Sequence, residues 1–154
     1  MVPFEQALAM VLAEARTLPA EEVPLEEALR RVLAEDVASD LDLPPFDRAA
    51  MDGFAVRAAD VVDAPAALEV AGEVRAGQWP EADVSPGRAV RIMTGAPVPP
   101  GADAVLPVER TRPLDEFRVT ALEAVPPGAN LVPRGTEGRR GDVVSQQPGG
   151  VSNG

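Results

Sequence analysis

LPPFDRAAMDGFAVRAAD, from Leu43 to Asp60, and RIMTGAPVPPGADAVLPVE, from Arg91 to Glu109, decide the reading of this chain. In each stretch Pro and Gly interrupt apolar runs and a polar group stands at the break: Asp52 between Met51 and Gly53, and Thr94 ahead of Gly95. Gly53 permits a tight turn in which another backbone or a ligand comes close to the Asp52 carboxylate. Such a carboxylate suits a hard cation, because Mg2+ is usually held by one or two carboxylates together with substrate phosphate oxygens. An Asp before Gly also commonly satisfies nearby amides as an Asx turn, and that alternative stays open. Thr94-Gly95-Ala96 follows a predicted strand, where a hydroxyl and successive backbone N–H groups can hold an oxyanion. The plainer use of Thr94 is as a strand-end residue.

Outward from these loops, short Val-rich runs bounded by Gly and Pro predict five strands: Phe54 to Val56, Leu68 to Val74, Ala89 to Met93, Ala104 to Val108 and Phe117 to Leu122. Ser85-Pro86-Gly87 and Pro99-Pro100-Gly101 each predict a chain reversal, with Pro setting φ and Gly supplying a positive φ. Asp103 and Glu109 read as solvated charges beside strands.

Before residue 40 the period changes. Phe4, Leu8, Val11, Leu12 and Ala15 share one face of a predicted helix opened by Pro3. Leu25, Ala28, Leu29, Val32 and Leu33 form the apolar side of a second predicted helix from Pro24, with Glu26 and Glu27 near its positive end. Both stripes are read as core or interface packing. PPGANLVPRGTEGRRGDVV, Pro126 to Val144, is irregular, with Leu131, Val143 and Val144 as expected anchors and a return beside the first helices. Its Arg134, Arg139 and Arg140 can meet an anionic ligand or form a solvated cluster balancing nearby acids. The tail SQQPGGVSNG is expected to be disordered.

These elements predict an α+β protein of two lobes. Residues 1–45 and 126–154 form a discontinuous helical or mixed lobe, and a loop-rich β lobe of residues 46–125 is inserted into it. With 154 residues the chain buries roughly 70% of its unfolded surface. Its core must come from Ala, Val and Leu, because only 3% of the residues are aromatic.

Composition narrows the chemistry. There is no Cys, hence no disulfide, thiolate metal site or cysteine nucleophile, and no His, hence neither the commonest general base nor the commonest transition-metal ligand. Only oxygen donors remain, and any proton transfer must use Asp, Glu or water. A serine triad is impossible, no Walker or GxGxxG loop occurs, and the paired Asp-Thr/Ser-Gly turns of aspartic proteases are missing. A net charge of −11 argues against nucleic acid and anionic membranes as partners. The lack of a long apolar run, and of a basic start to the N-terminus, predicts a cytoplasmic protein.

Pro44 to Val56, Arg91 to Glu109 and Gly128 to Val144, in that order and at similar separation, resemble the N-terminal region of the MoeA / gephyrin E-domain family of molybdopterin molybdenumtransferases. The resemblance implies a helical or mixed lobe with an inserted β lobe, which in the family is followed by a pterin-binding domain and a C-terminal β domain absent from this sequence. It implies a role in molybdenum cofactor biosynthesis: molybdenum from molybdate enters adenylylated molybdopterin with Mg2+ as the adenylate is cleaved. The ligand supplies the sulfurs. By resemblance Asp52 and Thr94 contribute to the active site, with Asp52 the metal ligand and Arg134 and Glu137 cofactor-binding candidates. The expected partners are a second copy of the chain and the molybdopterin-binding domain or protein of the same pathway.

Two departures stand out. Where the family reads Ser-Ala-Met-Asp-Gly-Tyr, this chain has Ala49-Ala50-Met51-Asp52-Gly53-Phe54, without the two hydroxyls. Where the family reads Arg-x-x-Gly-Glu-Asp, it has Val132-Pro133-Arg134-Gly135-Thr136-Glu137, with a longer acid at the end. The last ten residues differ from the family's continuation, so the expectation is a truncated or stand-alone chain, inactive by itself without the missing domains. A non-enzymatic dimerisation or interaction module of the same fold is the alternative.

Overall fold

A computed structural model describes residues 2–16 and 18–146. The chain forms two units, Met1–Val37 with Ser145–Gly154, and Ala38–Val144. Most of the expected disordered tail, residues 147–154, lies outside the described residues.

In the first unit the 3.6-residue stripe near the N-terminus becomes α1 (Phe4–Glu14), whose last turn is closed by the Ala15 N–H on the carbonyls of Val11 and Leu12. None of its residues is buried, and Phe4 is 75% exposed. The second predicted helix does not form. Leu25–Glu27 makes one 3-10 turn, and Arg30 takes a φ of 68°, a left-handed conformation that stops a right-handed helix. Leu25, Leu29 and Val32 are exposed, so nothing repays the ordering of a segment this short; helices of that length are marginal without tertiary packing. The helical lobe is therefore not borne out: among the described residues α1 is the one α-helix, and the fold is mostly sheet.

The second unit is built on strands. The chain passes between the units at the short strands β1 (Val37–Ala38) and β10 (Val143–Ser145). Between them lie β2 (Arg48–Ala49), β3 (Gly53–Val56), β4 (Ala66–Val74), β5 (Arg88–Ile92), β6 (Ala104–Pro107), β7 (Thr111–Pro113), β8 (Arg118–Ala121) and β9 (Leu131–Val132). Six of these form a mixed sheet in the order β6-β3-β5-β4-β8-β7, in which β4 and β5 are parallel and the other neighbours antiparallel. All five predicted strands occur within two residues of their expected limits.

The continuous apolar runs of β3 and β6 follow from burial on both faces, where alternation with polar residues is lost. Phe54, Val56, Leu68, Ala104, Leu106 and Val119 pack on one face. Ala55, Val74, Val90, Ile92 and Val105 pack on the other. Ile92 and Leu106 are fully buried, each contributing about 1.5–3 kcal/mol by removal from water. The edge strand β6 is covered rather than bare. Its Val105 N–H donates to the Ala129 carbonyl at 2.9 Å, and the Asn130 amide donates to the Val105 carbonyl at 2.8 Å.

Both predicted reversals form. Arg88 N–H closes on the Ser85 carbonyl with Gly87 at φ 75°, and Ala102 N–H on the Pro99 carbonyl with Gly101 at φ 85°. In the irregular third segment Leu131 packs on the core and β9 pairs with β2, aligning Ala49 with Leu131. Val143 and Val144 do not act as anchors, since both are exposed on a short strand. Among the described residues no helix is long and apolar enough to cross a membrane.

Candidate active site

The two motif loops meet through their backbones. Gly95 N–H donates to the Ala49 carbonyl at 2.9 Å, Ala49 N–H to the Ala96 carbonyl at 3.0 Å, and Val98 N–H to the Asp47 carbonyl at 2.9 Å. The second loop turns sharply at Thr94-Gly95: Ala96 N–H closes on the Met93 carbonyl at 2.9 Å, and Gly95 at the third position has a φ of 80°, the requirement of a type II turn. The first loop delivers Asp52 to the start of β3. There Gly53 faces Pro107 of β6 so closely that an added Cβ would lie 2.1 Å from the Leu106 carbonyl oxygen.

That arrangement places Thr94 against Asp52. The Thr94 N–H and hydroxyl both donate to Asp52 Oδ1, each at 2.7 Å. These two bonds, the backbone one first, hold the Asp52 carboxyl below its ordinary 3.8, with a smaller contribution from the Arg91 charge against a desolvation that raises it. Asp52 is thus a carboxylate at neutral pH. It suits a charged ligand or electrostatic role better than proton abstraction, for which a pKa near the working pH is wanted.

Met51, Asp52, Thr94, Pro107, Glu109 and Arg110 line an open cleft of about 480 Å³. Arg110 ends a 3-10 turn, Val108–Arg110, and its Nε lies 3.3 Å from Glu123 Oε2. A cleft with two carboxylates and one guanidinium offers oxygen donors to a hard cation and a fork of N–H donors to an oxyanion. Among the described residues no three potential metal-ligating side chains converge, so a cation here would draw further oxygens from substrate or water.

Arg134 and Glu137 do not line this cleft. Arg134 Nε donates to Asp42 Oδ2 at 2.6 Å and its N–H to Asp47 Oδ1 at 2.7 Å, while Glu137 accepts from Arg48 Nη2 at 2.7 Å. Both therefore brace the third segment against the residues before and after Phe46. Asp42 also accepts the Arg140 N–H; that bond first, and the Arg134 guanidinium next, keep its carboxyl below the ordinary range. Asp103, read as a solvated charge, accepts the Ala58 N–H at 2.6 Å and so fixes the turn after β3. Two charged cleft residues were missed in the sequence: Glu109, read as a solvated charge beside a strand, and Arg110. Glu109 ends the second motif and Arg110 follows it directly, so their place next to the Thr94 loop's strand was the available signal.

Comparison with known proteins agrees with this geometry. Residues 2–150 match the family described as the MoeA N-terminal region (domain I and II). The molybdopterin molybdenumtransferase of Bacillus subtilis (strain 168) is 36% identical over 150 residues, covering 93% of this chain and 35% of that protein. That of Synechococcus elongatus is 38% identical over 151 residues, covering 94% of this chain and 37% of its own. A crystal structure of a molybdopterin biosynthesis moeA protein from Pyrococcus horikoshii OT3 superposes with a TM-score of 0.86 at 39% identity, covering 96% of this chain and 40% of that one. The chain thus spans little more than a third of the length of the curated relatives it matches. With both motif loops, the mixed sheet and nearly the full sequence in agreement, the chain belongs to the MoeA family through its N-terminal region.

Proposed function

We propose that this chain takes part in molybdenum cofactor biosynthesis as the N-terminal part of a molybdopterin molybdenumtransferase, contributing Asp52 and Thr94 to a composite active site. The observation that carries the reading is the pair of 2.7 Å hydrogen bonds by which Thr94 fixes one oxygen of an ionised Asp52 at the edge of an open cleft. The substrates are adenylylated molybdopterin and molybdate, and the rest of the site comes from the family's pterin-binding domain.

Asp52 Oδ1 is occupied by both Thr94 donors, which leaves Oδ2 to face a cation, with Glu109 as a second oxygen donor in the cleft. That all-oxygen set fits Mg2+, which when bound would draw phosphate oxygens toward the cleft and offset their negative charge. Thr94 orients the carboxylate, and the low basicity that results keeps it charged when substrate arrives. Arg134 and Glu137 support the reading differently: their bonds to Asp42, Asp47 and Arg48 set the third segment beside the first motif loop, so their contribution to cofactor binding is indirect. The exposed apolar row of α1 supports pairing with a second copy of the chain.

The test is molybdenum insertion into adenylylated molybdopterin with molybdate and Mg2+, using this chain alone and then with a separately supplied pterin-binding half. Insertion only on mixing is the expected result. Association without insertion would favour the interaction-module reading, to which the exposed α1 row also lends itself.

A further inference from the structure

The Asp52 cleft carries two carboxylates, Asp52 and Glu109, and one guanidinium, that of Arg110. A cleft of that composition repels anions unless the cation in it is free to receive them. Arg110 is placed to do so: its Nε edge faces Glu123 Oε2 at 3.3 Å and its side chain is 48% exposed, so the opposite edge of the guanidinium is open to the cleft. An exposed Arg–Glu pair contributes little to stability by itself, but it restricts the plane of the guanidinium fork. The backbone is pinned as well, because the Arg110 carbonyl accepts the Leu122 N–H at 2.9 Å.

We propose that Arg110 is the oxyanion-binding residue of this cleft, presenting its Nη edge to a tetrahedral dianion, with Glu123 as the positioning residue that holds the fork. The inference rests on reading the cleft as the reaction site and adds the group that brings the anion to it. Two sources share this chemistry, molybdate and the phosphate of an adenylate. Arg suits either, since its fork meets two oxygens of one tetrahedral face.

The test titrates the 15N-labelled chain with molybdate at neutral pH, and separately with AMP, while following the Arg110 Nε–H and Thr94 amide signals. Saturable shifts of both are expected, weakening as salt is raised because the contact is largely electrostatic. Arg110→Ala should weaken binding at least about tenfold, the loss expected for a charge-assisted hydrogen bond. Arg110→Lys should retain part of the affinity, and Glu123→Gln should move the Arg110 Nε–H signal and weaken binding only a few-fold. Shifts with molybdate alone, or with AMP alone, would assign the source.

No saturable shift in the unaltered chain, or equal affinity in Arg110→Ala, would overturn the proposal. Failure of insertion in the mixing assay, with Arg110-dependent anion binding intact, would instead overturn the functional reading and leave the anion site standing. Arg110 is exposed, so the variants are expected to fold, and a dispersed amide spectrum checks it.

Discussion

Thr94 gives both its backbone N–H and its hydroxyl to the same oxygen of Asp52, at 2.7 Å each, across 42 residues of sequence. The pair is the point at which the two motif loops become one site. Its geometry separates two contributions that a single substitution can tell apart, one from the backbone and one from the side chain.

Thr94→Val removes only the hydroxyl bond. The Asp52 carboxyl should then titrate nearer its ordinary 3.8 while staying below it, because the backbone bond is the larger cause of the lowering. Thr94→Ser should leave the titration where it is. Carboxyl carbon shifts followed against pH decide this, and equal titration in Val and Ser variants would remove the hydroxyl from the account.

Asp52→Asn, placed in a complete enzyme or in the mixed halves, keeps the shape and deletes the charge. Insertion should fall at least about tenfold, the effect of losing a little over 1.4 kcal/mol of charge-dependent stabilisation. Chain stability should change much less, since the residue is exposed. Insertion at the original rate would exclude Asp52 from the reaction.

Two glycines in the motif loops should respond differently to alanine. Gly53→Ala forces a Cβ to within 2.1 Å of the Leu106 carbonyl oxygen, and should cost about 3 kcal/mol by pushing β3 and β6 apart. Gly95→Ala meets nothing within 4 Å and pays only for its φ of 80°, about 1 kcal/mol. Urea midpoints of the two variants give the comparison; similar losses would contradict the close approach at Gly53.

Stability should hardly vary between pH 5 and 8, because the chain has no His to titrate there. Asp42, Asp52 and Asp115 all have folded-state values lowered below 3.8 by hydrogen bonds. Depressed carboxyls stabilise the fold above their unfolded values, and the contribution is lost as pH falls through the lower folded ones. Urea unfolding as a function of pH should therefore show a decline beginning below about pH 4; a decline beginning above pH 5 would point to other groups.

On α1, Val11→Asp should leave the urea midpoint of the isolated chain within about 0.5 kcal/mol, as for other surface positions, because Val11 is 67% exposed. If α1 is the contact with a second copy, the same change should shift sedimentation toward monomer. A large loss of stability in dilute chain would mean that the face is covered within the molecule.

Much of the second unit was legible in the sequence because its signals are local. Five strands lie between Pro and Gly punctuation, and Gly87 and Gly101 take the positive φ that their turns demand. The short strands β2, β7 and β9 were not legible, since Arg48-Ala49, Thr111 to Pro113 and Leu131-Val132 have no period to read and exist only through their partners. The second helix failed for a related reason. Its stripe of Leu25, Leu29 and Val32 has helical spacing, yet spacing stabilises a helix only when the stripe is buried, and these residues are exposed.

The first motif shows the same division at a single residue. Ala49 stands where the family has Ser, and it is fully buried in the core with its backbone bonded on both sides to the Gly95-Ala96 turn. Its side chain is absorbed by packing while its peptide group joins the loops, a use that no residue type announces.

Residue types and their spacing alone determined the family, the oxygen-only chemistry of a chain without Cys or His, and the identity of Asp52 and Thr94 as candidates, because each depends on what is present in order along the chain. Tertiary structure decided that Thr94 binds Asp52, that Arg110 enters the cleft, and that Arg134 and Glu137 turn away from it. The meeting of Asp52, Thr94 and Arg110 rests on the register of β3 against β5 and β6, that of Arg134 and Glu137 on the pairing of β2 with β9, and register is set by burial that only the folded chain can satisfy.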